Sequence, residues 1–358
     1  MFAAVMLAAA GTSSAADETA TATLSMSPRS GTLYKEAPRP VNWRVEVEVS
    51  APDSSPNVLP TKYIKAHFPK GMEFNPAPGT AICPEAMVGP PPVNLTIPPE
   101  QMIARCPDAL VGNGKASLFL AQNNEPGALL NDPVLLAFNG GENDDGEVVL
   151  RIYAYSKAGG TGLYEEAIFN DGVMEVAIPQ ITGDSSTSIF DLNIPGTNTE
   201  HPEWNGVDPG YVRTTCATGT WSGFAELTLG SRNTAGEASG PEALVRTPDF
   251  TTVCEGEVGK ARASVTGARG PGSVKKGTGS TFRVTVKNPG TATARGGKLS
   301  VSGRGVSGRS SIGSMKPGAS RVVKVKAKFK RAGKVKASFK AAFKGIPAAV
   351  SVKRIKVT

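Results

Sequence analysis

The stretch Arg321-Val-Val-Lys-Val-Lys-Ala-Lys-Phe-Lys330 alternates without interruption from Val323 onward. Val323, Val325, Ala327 and Phe329 fall on one side of an extended chain, and Lys324, Lys326, Lys328 and Lys330 on the other. Successive side chains of a strand point to opposite faces, so the pattern predicts a half-buried β-strand. Arg331-Ala-Gly333 reads as a short turn, because glycine takes positive φ without steric cost. Beyond it Val335, Ala337, Phe339 and Ala341 alternate again, with Lys334, Lys336 and Lys340 opposite them. The two runs predict a hairpin with one apolar side and one lysine side, the lysines lying in adjacent rows.

More strands flank it. Phe282, Val284 and Val286 alternate up to the turn Asn288-Pro-Gly290, and Lys298-Leu-Ser-Val301 and residues 349–357 also read as strands. Lys316-Pro-Gly318 is a second turn. Short strands punctuated by Gly and Pro predict a β-sandwich over residues 258–358. That span holds 25 of the 39 Lys and Arg residues and not one Asp or Glu, a formal charge of +25. The preceding residues hold the other 14 basic residues and all 31 acids, a formal −17. The net +8 therefore hides two bodies of opposite sign. Such asymmetry points the basic body toward a polyanion or a charged surface.

The segments STFRVTVKNPGTATARGGKLSVS (280–302) and IGSMKPGASRVVKVKAKFKRAGKVKASFKA (312–341) resemble the bacterial cell-adhesion-related Ig-like domains repeated on secreted proteins. The likeness covers residues 262–358. It implies an Ig-like sandwich in an adhesive setting, and brings no catalytic residues with it.

Residues 1–10 are apolar, and Gly11 to Ala16 are small, as in a secretory signal cut after Ala15 or Ala16. No Lys or Arg precedes the apolar run, which fits a start codon placed too late. A membrane-spanning helix needs about 20 apolar residues, which no segment reaches. No C-terminal anchor or sortase-type signal is visible. The mature chain, 17–358, is expected outside the cell, free or peripherally held on the envelope. Four cysteines suit export: Cys83, Cys106, Cys216 and Cys254 allow three pairings. The expected one joins sequence neighbours, Cys83 to Cys106 and Cys216 to Cys254. A zinc site needs C-x₂₋₄-C spacing or histidine at ligand distance, and has neither.

Residues 17–257 also read as mostly β, with alternating runs at 19–26, 43–49, 63–68, 115–120, 134–138, 148–155, 173–178, 188–194 and 223–229. One short helix is expected at 98–105, with Pro99 in its first turn. The region suits one sandwich, or two divided near residue 125. The whole chain is thus expected to be all-β: a large disulfide-containing region followed by a smaller Ig-like sandwich. A connector is expected at 256–270, where Gly267-Ala-Arg-Gly-Pro-Gly272 lacks strand period and trypsin should cut first at Lys260, Arg262 or Arg269. AHFPKGMEFNPAPGTAIC (66–83), ARCPDALVGNGKASL (104–118) and YVRTTCATGTW (211–221) are similar to a group of uncharacterised secreted actinobacterial proteins. That resemblance implies the same local cysteine pairing and supplies no activity. Pro90-Pro-Pro92 lengthens the first cysteine loop relative to it.

No catalytic residue, metal ligand or cofactor is assigned. His67, in an alternating strand, reads as a packing or surface residue, and His201, in Glu200-His-Pro-Glu-Trp204, as part of a loop. No nucleophile elbow, zinc-protease or phosphate-loop motif occurs. Gly112-Asn-Gly-Lys115 reads as a turn entering a strand. Glu142-Asn-Asp-Asp-Gly-Glu147 could gather oxygen ligands for calcium, but lacks the order of a dedicated loop and contains the hairpin signal Asp-Gly. Tyr153, Tyr155, Tyr164, Trp204, Tyr211 and Trp221 are either core aromatics or a sugar platform. The expected function is a secreted, non-catalytic envelope or matrix protein. Its basic module would bind anionic cell-wall polymer, nucleic acid or lipid headgroups through Lys324, Lys326, Lys328, Lys330, Lys334, Lys336 and Lys340. Two alternatives stand beside it. One is a secreted carbohydrate-active hydrolase targeted by the basic module. In the other, the module docks on the chain's own acidic region.

Overall fold

The computed structural model describes residues 17–52, 58–74, 80–89, 96–120, 128–179, 185–208, 210–230, 240 and 242–358. The expected signal at 1–16 and the loop residues Pro90-Pro-Pro92 lie outside them. The chain is all-β apart from short helical turns. It divides into two units. One comprises the described residues of 17–31, 39–214 and 220–254; the other comprises 32–38, 215–219 and 255–358.

The second unit contains eight main strands: β1 (Ser264–Arg269), β2 (Ser273–Val274), β3 (Gly279–Lys287), β4 (Ala294–Gly303), β5 (Val306–Met315), β6 (Ser320–Phe329), β7 (Gly333–Ala342) and β8 (Ala349–Val357). Their order in the hydrogen-bonded path is β1-β3-β6-β5-β4-β7-β8-β2. β5 pairs with β4 along its length, but with β6 only at Val306–Gly308. The path folds over there, giving two packed layers. β1, β3 and β6 form one layer, and β5, β4, β7, β8 and β2 the other.

This topology corrects the expected hairpin. β6 and β7 are not partners: β6 pairs with β3 and β7 with β4 and β8. The chain passes from one layer to the other between Phe329 and Gly333, whose φ of 114° lies where glycine is at ease. The physical reason is the core. A hairpin would put both apolar stripes on one side with nothing to cover them, whereas the arch makes each stripe cover the other. The Phe282 ring lies 6.1 Å from Phe329 of its own layer and 5.3 Å from Phe339 of the opposite one. All three are fully buried. Each such burial contributes about 1.5–3 kcal/mol.

Asn288, read from sequence as a turn residue, is the polar brace of this unit. It is fully buried. Its Oδ1 accepts from the backbone N–H groups of Arg262 (3.1 Å) and Gly290 (3.0 Å). Its Nδ2 donates to the carbonyls of Ala292 (2.9 Å) and Met315 (3.0 Å). A buried amide must be satisfied in this way or cost stability. The expected connector at 256–270 is corrected as well. Arg262 is held by Asn288, Lys260 N–H donates to Thr291 Oγ1 at 3.0 Å, and Gly267 to Arg269 lie in β1 opposite Thr285 to Arg283.

In the first unit one sheet curls around an aromatic core. Its order by residue range is 243–246, 220–229, 61–67, 173–177, 161–170, 148–156, 134–142, 110–120, 186–194, 39–50, 212–214 and 73–74. Strand Leu110–Leu120 pairs with Val134–Glu142, so both sides of residue 125 belong to this sheet. Thr19–Pro28 pairs with Arg39–Ser50, and Phe250–Val253 with Thr220–Leu229. The Thr252 hydroxyl donates to Leu24 O at 2.8 Å, bringing the two ends of the curl together. Inside, Phe74 packs edge-on against Trp43 (5.5 Å), Phe169 (4.6 Å) and Tyr211 (6.0 Å). Outside, helix Pro99–Arg105 and the Cys83–Cys106 bridge cover Phe138, Tyr153 and Tyr164 as a second cluster.

Candidate polyanion-binding faces

With the interior of the Ig-like unit fixed by alternation, every intervening residue points outward. The seven lysines singled out from sequence are all exposed. They do not form one surface. Lys324, Lys326 and Lys328 project from β6 on the outside of one layer, with Lys330 just beyond the strand. Lys334, Lys336 and Lys340 project from β7 on the outside of the other. The shared core lies between the two sets.

Each set gains partners that only strand pairing reveals. On the first face Lys324 stands opposite Arg283, and Arg283 opposite Arg269, a basic row across β6, β3 and β1. Adjacent strands are ~4.8 Å apart and alternate residues along a strand ~6.8 Å apart, so Lys326 and Lys328 extend this row at close range. On the second face Lys334 stands opposite Lys356, and Lys336 opposite Arg354. Lys340 sits between Ser300 and Val350, with Arg309 beyond Ser300. Arg269, Arg283, Arg309, Arg354 and Lys356 were not picked out from sequence. Arg283, Arg354 and Lys356 sit in alternating runs, whereas Arg269 and Arg309 lie where the alternation is broken; the place of each beside a lysine depends on register.

Among the described residues no carboxylate pairs with the lysines and arginines of these two rows; Glu36 lies instead by Thr293 and Arg295. Among the described residues, none of the salt bridges involves a lysine or arginine after Glu257. Arg321 and Lys353 instead donate to the carbonyls of Ile312 and Gly270. Like charges opposite one another in a sheet destabilise it by a fraction of a kcal/mol to ~1 kcal/mol per pair. Each opposed pair, and each pair of neighbours along a strand, lies within the ~10 Å screening length at 0.1 M salt. Residues 258–358 also contain no Asp, Glu, His or Cys. The ordinary side-chain ligands for a hard or borderline cation are therefore missing there.

The other candidates lie in the first unit, apart from Cys216, which belongs to the second. Cys83 and Cys106 are bonded, with Cα atoms 5.4 Å apart, as local pairing requires. Cys216 and Cys254 are disulfide-bonded too, and no described cysteine is free. Glu142–Glu147 forms the turn: Asn143 Oδ1 accepts from the Asp145 and Glu147 N–H groups, and Asn143 Nδ2 donates to Glu147 Oε2. Asn170 Nδ2 donates to Glu147 Oε1, so both carboxylate oxygens already serve the hairpin. Among the described residues no three His, Cys, Asp or Glu side chains converge as a metal site would require. Tyr153, Tyr164, Trp204, Tyr211 and Trp221 are buried, leaving only Tyr155 of the six aromatics partly exposed, so they make no sugar platform. His67 stacks on Phe224 at 4.3 Å and meets Glu226 at 3.2 Å; His201 stacks on Trp204 at 4.0 Å and meets Glu203 at 3.0 Å.

Two carboxylates beside these behave oppositely. The Tyr63 hydroxyl and Lys65 ammonium hold the Glu175 carboxyl below the usual range. Glu165, 8% exposed, shares its side of strand Thr161–Asn170 with Leu163, Ala167 and Phe169 and stands opposite Ile152. Burial pushes its pKa up to about 8.

No curated protein matches the chain. Solved structures that align with it include the CARDB domain of a Pyrococcus furiosus protein in complex with di-metal ions. That alignment has 17% identity and a TM-score of 0.23, and covers 27% of this chain and 89% of that one. Red sea bream transglutaminase aligns at 10% identity and TM-score 0.24, covering 94% of this chain and 31% of that one. Trypsin-activated alpha-2-macroglobulin from Escherichia coli aligns at 8% identity and TM-score 0.21, covering 94% and 18%. The chain thus spans under a third of the transglutaminase and of the macroglobulin. The CARDB family model matches residues 262–343, and this part of the chain is a CARDB domain.

Proposed function

We propose that the chain is an exported, non-catalytic envelope or matrix protein whose CARDB domain holds a linear anionic polymer. The observation that carries this reading is the pair of sheet faces, each with strand-spaced cations, in a domain without a single carboxylate side chain. A flat face of regularly spaced charges matches a repeating polymer better than a compact small ligand. Such a polymer gains further by releasing its own counterions. The apolar start of the sequence and the bonded cysteines support export.

The test is retention of the full chain on immobilised long-chain inorganic polyphosphate. Retention at 50 mM salt that falls steeply by ~200 mM is expected. A variant with Lys324, Lys326, Lys328, Lys334, Lys336 and Lys340 all changed to Gln should pass through. Equal elution of parent and variant would overturn the reading.

A further inference from the structure

We propose that the CARDB domain is bivalent: its two outer faces hold two separate polyanion chains and so bridge them. This deepens the polymer-binding reading and rests on it. Lys324 with Arg283 and Arg269 lies on one side of the core, and Lys336 with Arg354 on the other. Val325, Phe329, Val335 and Phe339 fill the space between, so no straight polymer touches both faces. The two layers are ~10 Å apart, and outward side chains add to that distance. Away from the corner where Lys328 stands opposite Ser307, the thickness of the domain keeps a chain bound on one face from crowding a chain on the other. Neither face holds an acid that would make it the lesser site. A single row would coat a polymer; two rows back to back tie one polymer to the next, and effective concentration then favours a network.

The experiment mixes the full chain with long-chain inorganic polyphosphate at varied ratio and follows light scattering. A scattering maximum at intermediate ratio, dissolving again at excess polymer, is expected. Two single-face variants separate the arms: Lys324→Gln/Lys326→Gln/Lys328→Gln, and Lys334→Gln/Lys336→Gln/Lys340→Gln. Each should stay on the polyphosphate column, eluting at lower salt than the parent, and lose the scattering maximum. A polyphosphate too short to reach around the domain should bind the parent at two per protein and each variant at one. A parent that binds with one short chain per protein and no scattering maximum overturns bivalence, while the polymer-binding reading stands. So does a single-face variant that scatters like the parent. A parent that is not retained at all overturns both.

Discussion

Glu165 gives the structure a measurable pH signature. Its carboxyl sits among Leu163, Ala167 and Phe169, and no hydrogen bond or ion pair reaches it among the described residues. Burial alone raises its pKa from 4.5 to about 8. In the unfolded chain the group ionises near its ordinary value, so between the two values the unfolded state has shed a proton that the folded state retains. Stability therefore falls as pH rises through this window, and levels off above the folded value. At ~1.4 kcal/mol per pH unit, the loss between pH 5 and pH 8 is roughly 3–4 kcal/mol. Glu165→Gln keeps the shape and removes the titration. The assay is urea unfolding of parent and variant, followed by the near-ultraviolet signal of the first unit's buried tryptophans and tyrosines, at pH 5, 6, 7 and 8. The two should be similar at pH 5 and diverge in the variant's favour at pH 8. Every other ionisable group is common to the two proteins, so its contribution cancels in the difference. Parallel profiles would refute the reasoning, because they would mean the carboxyl is solvated or paired in the folded state.

Further outcomes follow from other positions. Replacing Cys83 and Cys106 by Ser opens a loop with a sequence separation of 23 residues and should cost about 3 kcal/mol in denaturant unfolding; a loss under ~1 kcal/mol contradicts a structural role. Asn288→Ala leaves the Arg262 and Gly290 N–H groups and the Ala292, Met315 and Lys316 carbonyls without this partner and should cost ~3 kcal/mol or more in thermal unfolding of the second unit. The same change should expose the bonds after Lys260 and Arg262 to trypsin, which the parent resists there; early cleavage of the parent at Arg262 would show that the brace does not hold. Tyr63→Phe removes the hydroxyl that lowers the Glu175 pKa, so the parent's advantage should shrink as pH falls from 6 through the carboxylate range. A pH-independent difference between the two proteins would refute that.

The strands of the Ig-like unit were legible wherever the outer face was charged and the inner face apolar, as in β3, β6 and β7. β5 was not, because Val306-Ser-Gly-Arg-Ser-Ser-Ile-Gly-Ser-Met315 buries only Val306, Ile312 and Met315. Strand Thr161–Asn170 was missed for the reason that makes it interesting: Glu165 occupies an inward position and breaks the alternation. The pairing of β6 with β3, rather than with β7, was beyond reach of the pattern. Two amphipathic strands joined by a short turn look alike whether they lie side by side or face each other across a core. That one ambiguity decided whether the lysines form one surface or two. The cysteine pairing of Cys83 with Cys106 was legible from proximity in the chain. Asn288 gave no sign of burial, since Asn-Pro-Gly is ordinary turn chemistry and its hydrogen bonds run to residues up to 28 positions away.

The central claim is that lysines on both outer faces contact polymer phosphates. The most direct test is the slope of log K against log salt for the full chain on long-chain polyphosphate. Each neutralised phosphate contributes roughly −0.7 to that slope by analogy with single-stranded nucleic acid. Changing Lys324, Lys326 and Lys328 to Gln should flatten it by up to ~2, and changing Lys334, Lys336 and Lys340 by a similar amount. A slope unchanged by either triple substitution would contradict the account.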